Sequence, residues 1–481
     1  MTATTCIRNA DWALLYDAST GTHRYERGGD VAFTGDRIVH AGGRYGGTVE
    51  REIDGRRLFV MPGLVNIHTH SSTMPLFKGI REDMANPRLY MSALYDGWNL
   101  FATEPEDKVW NSRFAYAELL RSGVTTVVDM CYPYPGWIDA LAESGLRGYL
   151  APLYESARWG TENGHSLHYR WSEDGGRGAM KEAFDLMAEA ERHDSRRLAA
   201  LVAPMAVDTC TPELLRESHR AALDAGRRIQ IHAGESMMEF LEITRRTGRT
   251  QLEWLEELGV LGPETIIGHG IFLDHHSWLH WHRQEDRDRL ARNGTSLAHC
   301  PVVFARYGIA LESFGRYSAA GVSIGIGTDA HPHNMLEEMR LACIMARTAA
   351  GNTHDTTTTA VVEAATLGGA RALGRDDIGR IAVGAKADLV LVDLDDPSMM
   401  PAHDPLKCLV FTAADRAVRD VFVDGQQRVV DRRVTTIDQV SVGREVAASQ
   451  ARVLPKVAGR DYAGRTASDV APPTFPVGRH V

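Results

Sequence analysis

The segment Met61-Pro62-Gly63-Leu64-Val65-Asn66-Ile67-His68-Thr69-His70 decides how the rest of the chain is read. Its part from Leu64 to His68 has the apolar character of a buried strand. In an extended chain residues i and i+2 point the same way, so His68 and His70 project together from the strand's C-terminal end. Neutral imidazole is the commonest metal ligand. A His-x-His pair alone is weak, because a plain surface pair fits it as well.

Working outward, seven more apolar runs follow: Val124–Asp129, Gly148–Leu153, Leu198–Met205, Ile229–Ala233, Thr265–His269, Thr295–His299 and Val322–Gly327. Helical patterns lie between most of them, clearest at Lys108–Arg121, Lys181–Arg192, Pro212–Ala225 and Glu312–Ala320, and two more follow the last run. Eight β–α units predict an α/β fold closed as a (β/α)8 TIM-like barrel. An open doubly wound sheet is the competing closure, but no strand opens a GxGxxG nucleotide turn. The first 60 residues and the stretch from Ala387 to Gly425 have a different texture, with short apolar runs between Gly- and Asp-rich turns. Each has only part of a core, so the two are expected to pair as one small composite β-sandwich. The predicted division is 1–62 plus 376–440 for the sandwich, 63–375 for the barrel, and 441–481 for a C-terminal surface arm.

Of 481 residues 44% are hydrophobic and 24% charged, which excludes a disordered or collagen-like chain. The 53 Lys+Arg against 63 Asp+Glu give a net charge of −10, which argues against a nucleic-acid or anionic-membrane partner. Six scattered cysteines with no CxxC pair read as free thiols in a reducing compartment. The N-terminus lacks a signal-peptide pattern and no apolar run approaches a membrane span, so the expected location is the cytoplasm.

Four further strand ends carry polar residues of the same kind as the first. They read His232-Ala233-Gly234-Glu235, Gly268-His269-Gly270, His299-Cys300-Pro301 and Gly327-Thr328-Asp329. Singly each could be a cap or a hydrogen-bonded core residue. Five such sets at one rim, where barrel enzymes build their sites, point to a catalytic centre.

The ordered set HxH, HxxE, H, H, TD, with the opening Met61–His70 and the trailing Gly384-Ala385-Lys386-Ala387-Asp388-Leu389, resembles the amidohydrolase superfamily. The resemblance is to its aminohydrolase and chlorohydrolase branch, which holds cytosine, guanine and S-adenosylhomocysteine deaminases and triazine hydrolases. It covers nearly the whole chain and implies a barrel with a composite sandwich. It also implies that His68, His70, His232 and Asp329 bind one divalent metal; zinc is expected, with Fe2+ or Mn2+ also suited to mixed N/O ligands. Asp329 would also take a proton from the attacking water, His269 would hydrogen-bond that water, and Glu235 would protonate a ring nitrogen of the substrate. Glu235 could instead be an acid at a helix N-terminus. Binuclear relatives bridge two metals through a lysine on barrel strand four. The chain has only six lysines, and Leu198-Ala199-Ala200-Leu201-Val202-Ala203-Pro204-Met205 contains none, so one metal per chain is expected.

Departures from the family pattern bear on substrate. Pro204-Met205-Ala206-Val207-Asp208 stands where many purine and nucleoside deaminases have a Pro-His-Ala-Pro-Tyr-like segment, which argues against an adenosine-type substrate. His299 reads as a rim or substrate contact, or as structural; His331 and His333 read as substrate-facing or as solvated loop residues. The long loop from Tyr154 to Gly178, with Trp159, His165, His168, Tyr169 and Trp171, reads as a lid that could stack on a flat ring or as a subunit contact. The stretch His275–His282 does not have the spacing of a closed zinc site and is expected as a packed surface loop.

The expected activity is metal-dependent hydrolytic deamination of an amino-substituted N-heterocycle, a pyrimidine, purine-like or triazine ring. The same site acting on a guanidine or urea C–N bond, or on a chloro-heterocycle, is the nearer alternative, and an inactive binding or assembly protein the distant one. The cytidine-deaminase fold is excluded by the lack of a PCxxC pair. The expected partners are a small heterocyclic or guanidino substrate and further copies of the chain in a homo-oligomer.

Overall fold

A computed structural model describes residues 3–478. Its centre is a parallel barrel in two arcs. The first runs through Leu64–Thr69, Val124–Cys131, Arg147–Tyr154 and a fourth strand interrupted into Leu198–Ala200 and Ala203–Pro204. The second runs through Ile229–Ala233, Thr265–His269, Ser296–His299 and Ser323–Ile326. Parallel bridges Val202–Ile229 and Ala206–His232 join the arcs on one side, and Thr69–Asp329 joins them on the other. These strands are buried almost throughout, as expected of strands enclosed by helices. The barrel interior packs Val65, Ile67, Val128, Ala203, Ile266 and Ala298 together.

The two chain ends meet in a sandwich. Leu389–Asp393 pairs antiparallel with Leu58–Pro62 at the centre of a seven-stranded sheet that also takes Trp12–Asp17 and Val418–Val423. A four-stranded sheet built from Thr4–Ala10, Gly29–Thr34, Arg37–Ala41 and Arg51–Asp54 covers it. Ile7, Leu15, Val31, Phe33, Leu391 and Phe422 fill the space between, so neither chain end has a complete core without the other. The Asp424-Gly425 hairpin turn has both residues at positive φ, as a two-residue I′ turn requires. Gly63 joins the sandwich to the first barrel strand; a Cβ there would lie 2.1 Å from the Thr125 hydroxyl.

Two expectations change. The loop after the third strand is not structureless: Ala157–Gly160 and His168–Trp171 form an antiparallel hairpin. The chain beyond 440 begins with a packed helix rather than a surface arm. Gln439–Val453 lies on Lys108–Arg121, buries Val442, Val446 and Val453, and is held by Gln450 to the Leu76 carbonyl and by Arg452 to Asp107. Residues 463–478 are mostly exposed, and 479–481 lie outside the described residues. No helix among the described residues is long and apolar enough to cross a membrane.

Candidate active site

The strand ends bring His68, His70 and His232 together, with one ring nitrogen from each inside a 4.8 Å cluster. His70 Nε2 lies 3.3 Å from His232 Nε2 and 3.3 Å from Asp329 Oδ1, and His68 Nε2 lies 3.8 Å from that same oxygen. The backbone dictates how two of these rings face. His70 Nδ1 is 2.5 Å from the Met130 carbonyl and His232 Nδ1 is 2.5 Å from the Met205 carbonyl. A carbonyl only accepts, so each Nδ1 carries the ring proton and each Nε2 is a bare lone pair in the neutral ring. Burial pushes both rings down to about 4, which keeps them neutral.

Two lone pairs and a carboxylate oxygen facing one another at 3.3 Å repel unless a cation lies among them. The buried ring nitrogens of His68 and of His269 have no partner among the described residues. Unpartnered buried donors of this kind, with N and O ligands from three strands, fit a divalent metal.

The local sequence makes room for this crowding. A Cβ at Gly327 would sit 2.6 Å from the His68 Cβ, and one at Gly268 would sit 3.1 Å from its Cε1. Asn66 accepts the His68 N–H and donates 2.8 Å to the Thr328 hydroxyl, tying the first strand end to the eighth. His269 and Asp329 both adopt positive φ, +77° and +52°, an uncommon conformation for side-chain-bearing residues that concentrates at functional sites.

His269 packs 4.8 Å from the His68 ring, and its Nε2 lies 4.0 Å from Glu235 Oε1. Burial, then the charges of Asp329, Glu239 and Asp208, drives the Glu235 carboxyl well above the usual range, toward its proton-donating form. The Glu235 backbone N–H donates 2.9 Å to Glu239, and Ser236 caps the helix Met237–Thr247. Glu235 is therefore placed immediately before a helix while its side chain lines the cavity.

That cavity has a volume of about 290 Å³. His70, His232, Glu235 and Asp329 contribute to its floor. Its walls include Met74, Arg81, Met91, Tyr95, Trp98, Lys108, Glu155, Arg158, Trp159, Met205 and Phe304. Of the remaining sequence-derived candidates, only Trp159 reaches it. His165, His168 and Trp171 are exposed on the hairpin. His299 is buried beside Phe314, behind the cavity. His331 Nε2 lies 2.9 Å from Glu82 Oε1, and Arg306 donates to the His331 carbonyl, while His333 is buried 3.5 Å from Glu118, so neither is a solvated loop residue. His275 and His276 pack inward on Tyr317 and Phe272, with Trp278 exposed. Lys181 stands exposed on a helix, paired with Asp185; the cavity-lining lysine is Lys108.

Sequence reasoning missed Arg81, Tyr95 and Trp98, which come from the long segment between the first barrel strand and the first long helix, and Lys108, the first residue of that helix. The segment's length of nearly forty residues, with the aromatics Tyr95 and Trp98, was the available signal.

The Amidohydrolase family model matches residues 59–428. The chain is 31% identical over 459 residues to the 5-methylthioadenosine/S-adenosylhomocysteine deaminase of Natronomonas pharaonis, covering 94% of this chain and 96% of that one. It is 27% identical to the 5′-deoxyadenosine deaminase of Methanosarcina mazei, covering 94% and 98%. In fold it is similar to the crystal structure of an adenosine deaminase from Xanthomonas campestris with bound zinc, with a TM-score of 0.78 at 24% identity, covering 94% and 98%. A similar fold likeness holds to atrazine chlorohydrolase from Arthrobacter aurescens, with a TM-score of 0.77 at 24% identity, covering 93% and 100%. The chain belongs to the amidohydrolase family, in its aminohydrolase branch, and is a hydrolase of carbon–nitrogen bonds.

Proposed function

We propose that the protein is a hydrolytic deaminase that uses one divalent metal, zinc in the first instance, to release ammonia from an amino-substituted N-heterocycle. The observation that carries this reading is the pair of carbonyl-fixed imidazoles, His70 and His232, aimed with His68 and Asp329 at one point beside a buried, proton-donating Glu235. His68, His70, His232 and Asp329 would hold the metal. When bound, such a cation supplies the acidity that lets a water lose its proton near neutral pH.

The chain's own residues do the rest. Asp329 accepts the water's proton and His269 orients the attacking oxygen. Glu235 donates to the ring nitrogen next to the amino-bearing carbon, which makes that carbon electrophilic. Asp329 passes the proton it took to the departing amine, and the proton on the added hydroxyl returns to Glu235 as the carbonyl forms, so ammonia leaves neutral and both carboxyl groups are restored. The Trp98, Met91 and Trp159 walls hold a flat ring and limit water.

Relatives named for 5-methylthioadenosine, S-adenosylhomocysteine and 5′-deoxyadenosine direct the first screen to 5′-substituted adenine nucleosides. Met205 stands where many nucleoside deaminases carry a substrate-contacting histidine, so the screen extends to aminated pyrimidines, triazines and guanidino compounds. Zinc- and iron-loaded protein is assayed for ammonia, with metal content measured on the same samples. Ammonia from at least one aminated ring, with one metal per chain, is expected. No release from any ring, or two equivalents of metal in active protein, overturns the reading.

A further inference from the structure

The hairpin after the third barrel strand runs in register from Ala157 opposite Trp171 to Gly160 opposite His168, which sets Trp159 across from Tyr169. Residues directly opposite in an antiparallel pair project from the same face. Both of these use that face to reach one atom: Trp159 Nε1 donates 2.9 Å, and Tyr169 Oη donates 2.7 Å, to Asp208 Oδ2. Asp208 belongs to the turn after the fourth strand and is fully buried. Arg246, from the helix that follows Glu235, donates 2.6 Å to the Asp208 carbonyl. Its guanidinium also lies 4.4 Å from the centre of the Tyr169 ring and 4.9 Å from that of Trp171.

The other side of Trp159 faces the cavity. Its ring meets Tyr95 edge-on at 5.1 Å, and the Tyr95 hydroxyl is 2.5 Å from Ser236 Oγ, on the residue next to Glu235. Asp208 itself does not line the cavity; it reaches the site through the hairpin and, as a buried acid, by raising the Glu235 carboxyl. The acid also occupies the last position of Pro204-Met205-Ala206-Val207-Asp208, where the family's Pro-His-Ala-Pro-Tyr-like segment has a tyrosine. A buried carboxyl without donors is far more costly than a tyrosine hydroxyl in the same place; burial pushes the Asp208 carboxyl above its usual range, and the two donors on Oδ2 offset part of that cost. In this chain the acid and the two donors of the hairpin form one unit.

We propose that Asp208 is a positioning residue, a latch that fixes the hairpin 157–171 so that Trp159 stands as a rigid wall against the substrate's heterocycle. The latch sets substrate affinity and leaves the chemical step to the strand-end residues. This rests on the deaminase reading for its kinetic readout but not for its structural one.

Three variants test it: Asp208→Ala, Asp208→Asn and Tyr169→Phe, with KM and kcat on the best heterocycle from the screen. Limited trypsin digestion is run in parallel, because Arg158 and Arg170 are exposed within the hairpin and report its order. In D208A, KM is expected to rise about tenfold or more and tryptic cleavage in the hairpin to accelerate; because that variant also removes an acid that raises the Glu235 carboxyl, the kcat readout is taken from Y169F, where it should stay within about twofold. Y169F, which removes one donor and no charge, is expected to raise KM by about three- to fivefold. D208N is expected between Y169F and unaltered protein, since its amide oxygen still accepts from both donors. A fall in kcat at unchanged KM in Y169F overturns the proposal, as does an equal loss of both that follows a fall in melting temperature. Trypsin digestion needs no substrate, so it separates the latch from the deaminase reading: a D208A hairpin cut at the unaltered rate overturns the latch whatever the enzyme acts on. Should D208A fail to fold, Y169F carries both readouts alone, and unchanged KM with unchanged cleavage there overturns it equally.

Discussion

The floor and the walls of the cavity are built differently. The floor is strand: His68, His70, His232 and Asp329 stand at strand ends whose neighbours are joined by main-chain bonds, and two of the rings are locked by carbonyls of the adjoining strands. The walls are loop and short helix: the turns Ser92–Tyr95 and Gly97–Leu100 supply Tyr95 and Trp98, and the hairpin supplies Trp159. A ladder of backbone bonds fixes direction to fractions of an ångström, which reacting groups need. Loops hold their side chains through a few side-chain bonds and can change without disturbing the barrel. Changes in the floor should therefore strike turnover, and changes in the walls should strike affinity.

The largest expected effect is at the floor. In His232→Ala, bound metal should fall well below one equivalent per chain and ammonia release should vanish, both read on one preparation by metal analysis and steady-state assay. Glu235→Gln separates binding from proton transfer: turnover should drop by about 10²–10⁴-fold while metal content and melting temperature hold. An unchanged rate in that variant would remove Glu235 from the chemistry. Gly327→Ala adds a Cβ 2.6 Å from that of His68, so the ring must shift. We expect a loss of about 1–3 kcal/mol of stability by denaturant unfolding together with weakened metal binding.

The smallest effect on turnover should come from the wall residue Glu155. Its carboxyl is pushed up to about 7, chiefly by burial, against a usual value near 4.3. A raised folded-state value means the folded protein holds the proton more tightly than the unfolded chain. The contribution to stability is then full below about pH 4 and is lost as pH rises through about 7. Glu155→Gln should flatten the fall in melting temperature between those pH values with kcat nearly unchanged; a variant whose profile is as steep as before would exclude Glu155 as its source.

The same contrast explains which parts were legible in the sequence. Eight apolar runs at barrel spacing are a local signal, and their observed bounds differ from the expected ones by a few residues. Asp424-Gly425 is likewise local, because two adjacent positive-φ residues require small or polar side chains. The His-x-His pair, Glu235 and Asp329 stand out because buried strands carry few polar residues, so those at the ends are conspicuous. His165, His168 and Trp171 were misjudged because residue type in a loop says nothing about direction: His165 sits in the connection of the hairpin, His168 on the face opposite Trp159, and Trp171 against Tyr169 and Arg246 rather than in the cavity. His331 was misjudged because its partners, Glu82 and Arg306, are remote in sequence. The helix Gln439–Val453 read as an arm because its apolar face means nothing until Lys108–Arg121 lies beneath it.

The sequence alone determined the fold class, the pairing of the chain ends and the identity of the residues at the strand ends, because period, composition and spacing are properties of neighbouring residues. Only the tertiary structure decided which nitrogen of each imidazole faces the centre, that Glu235 is buried among acids, and that Trp159 and Tyr169 meet on Asp208. Each of those depends on groups tens to hundreds of residues apart, whose distance is set by closure of the barrel and by nothing in the local chain.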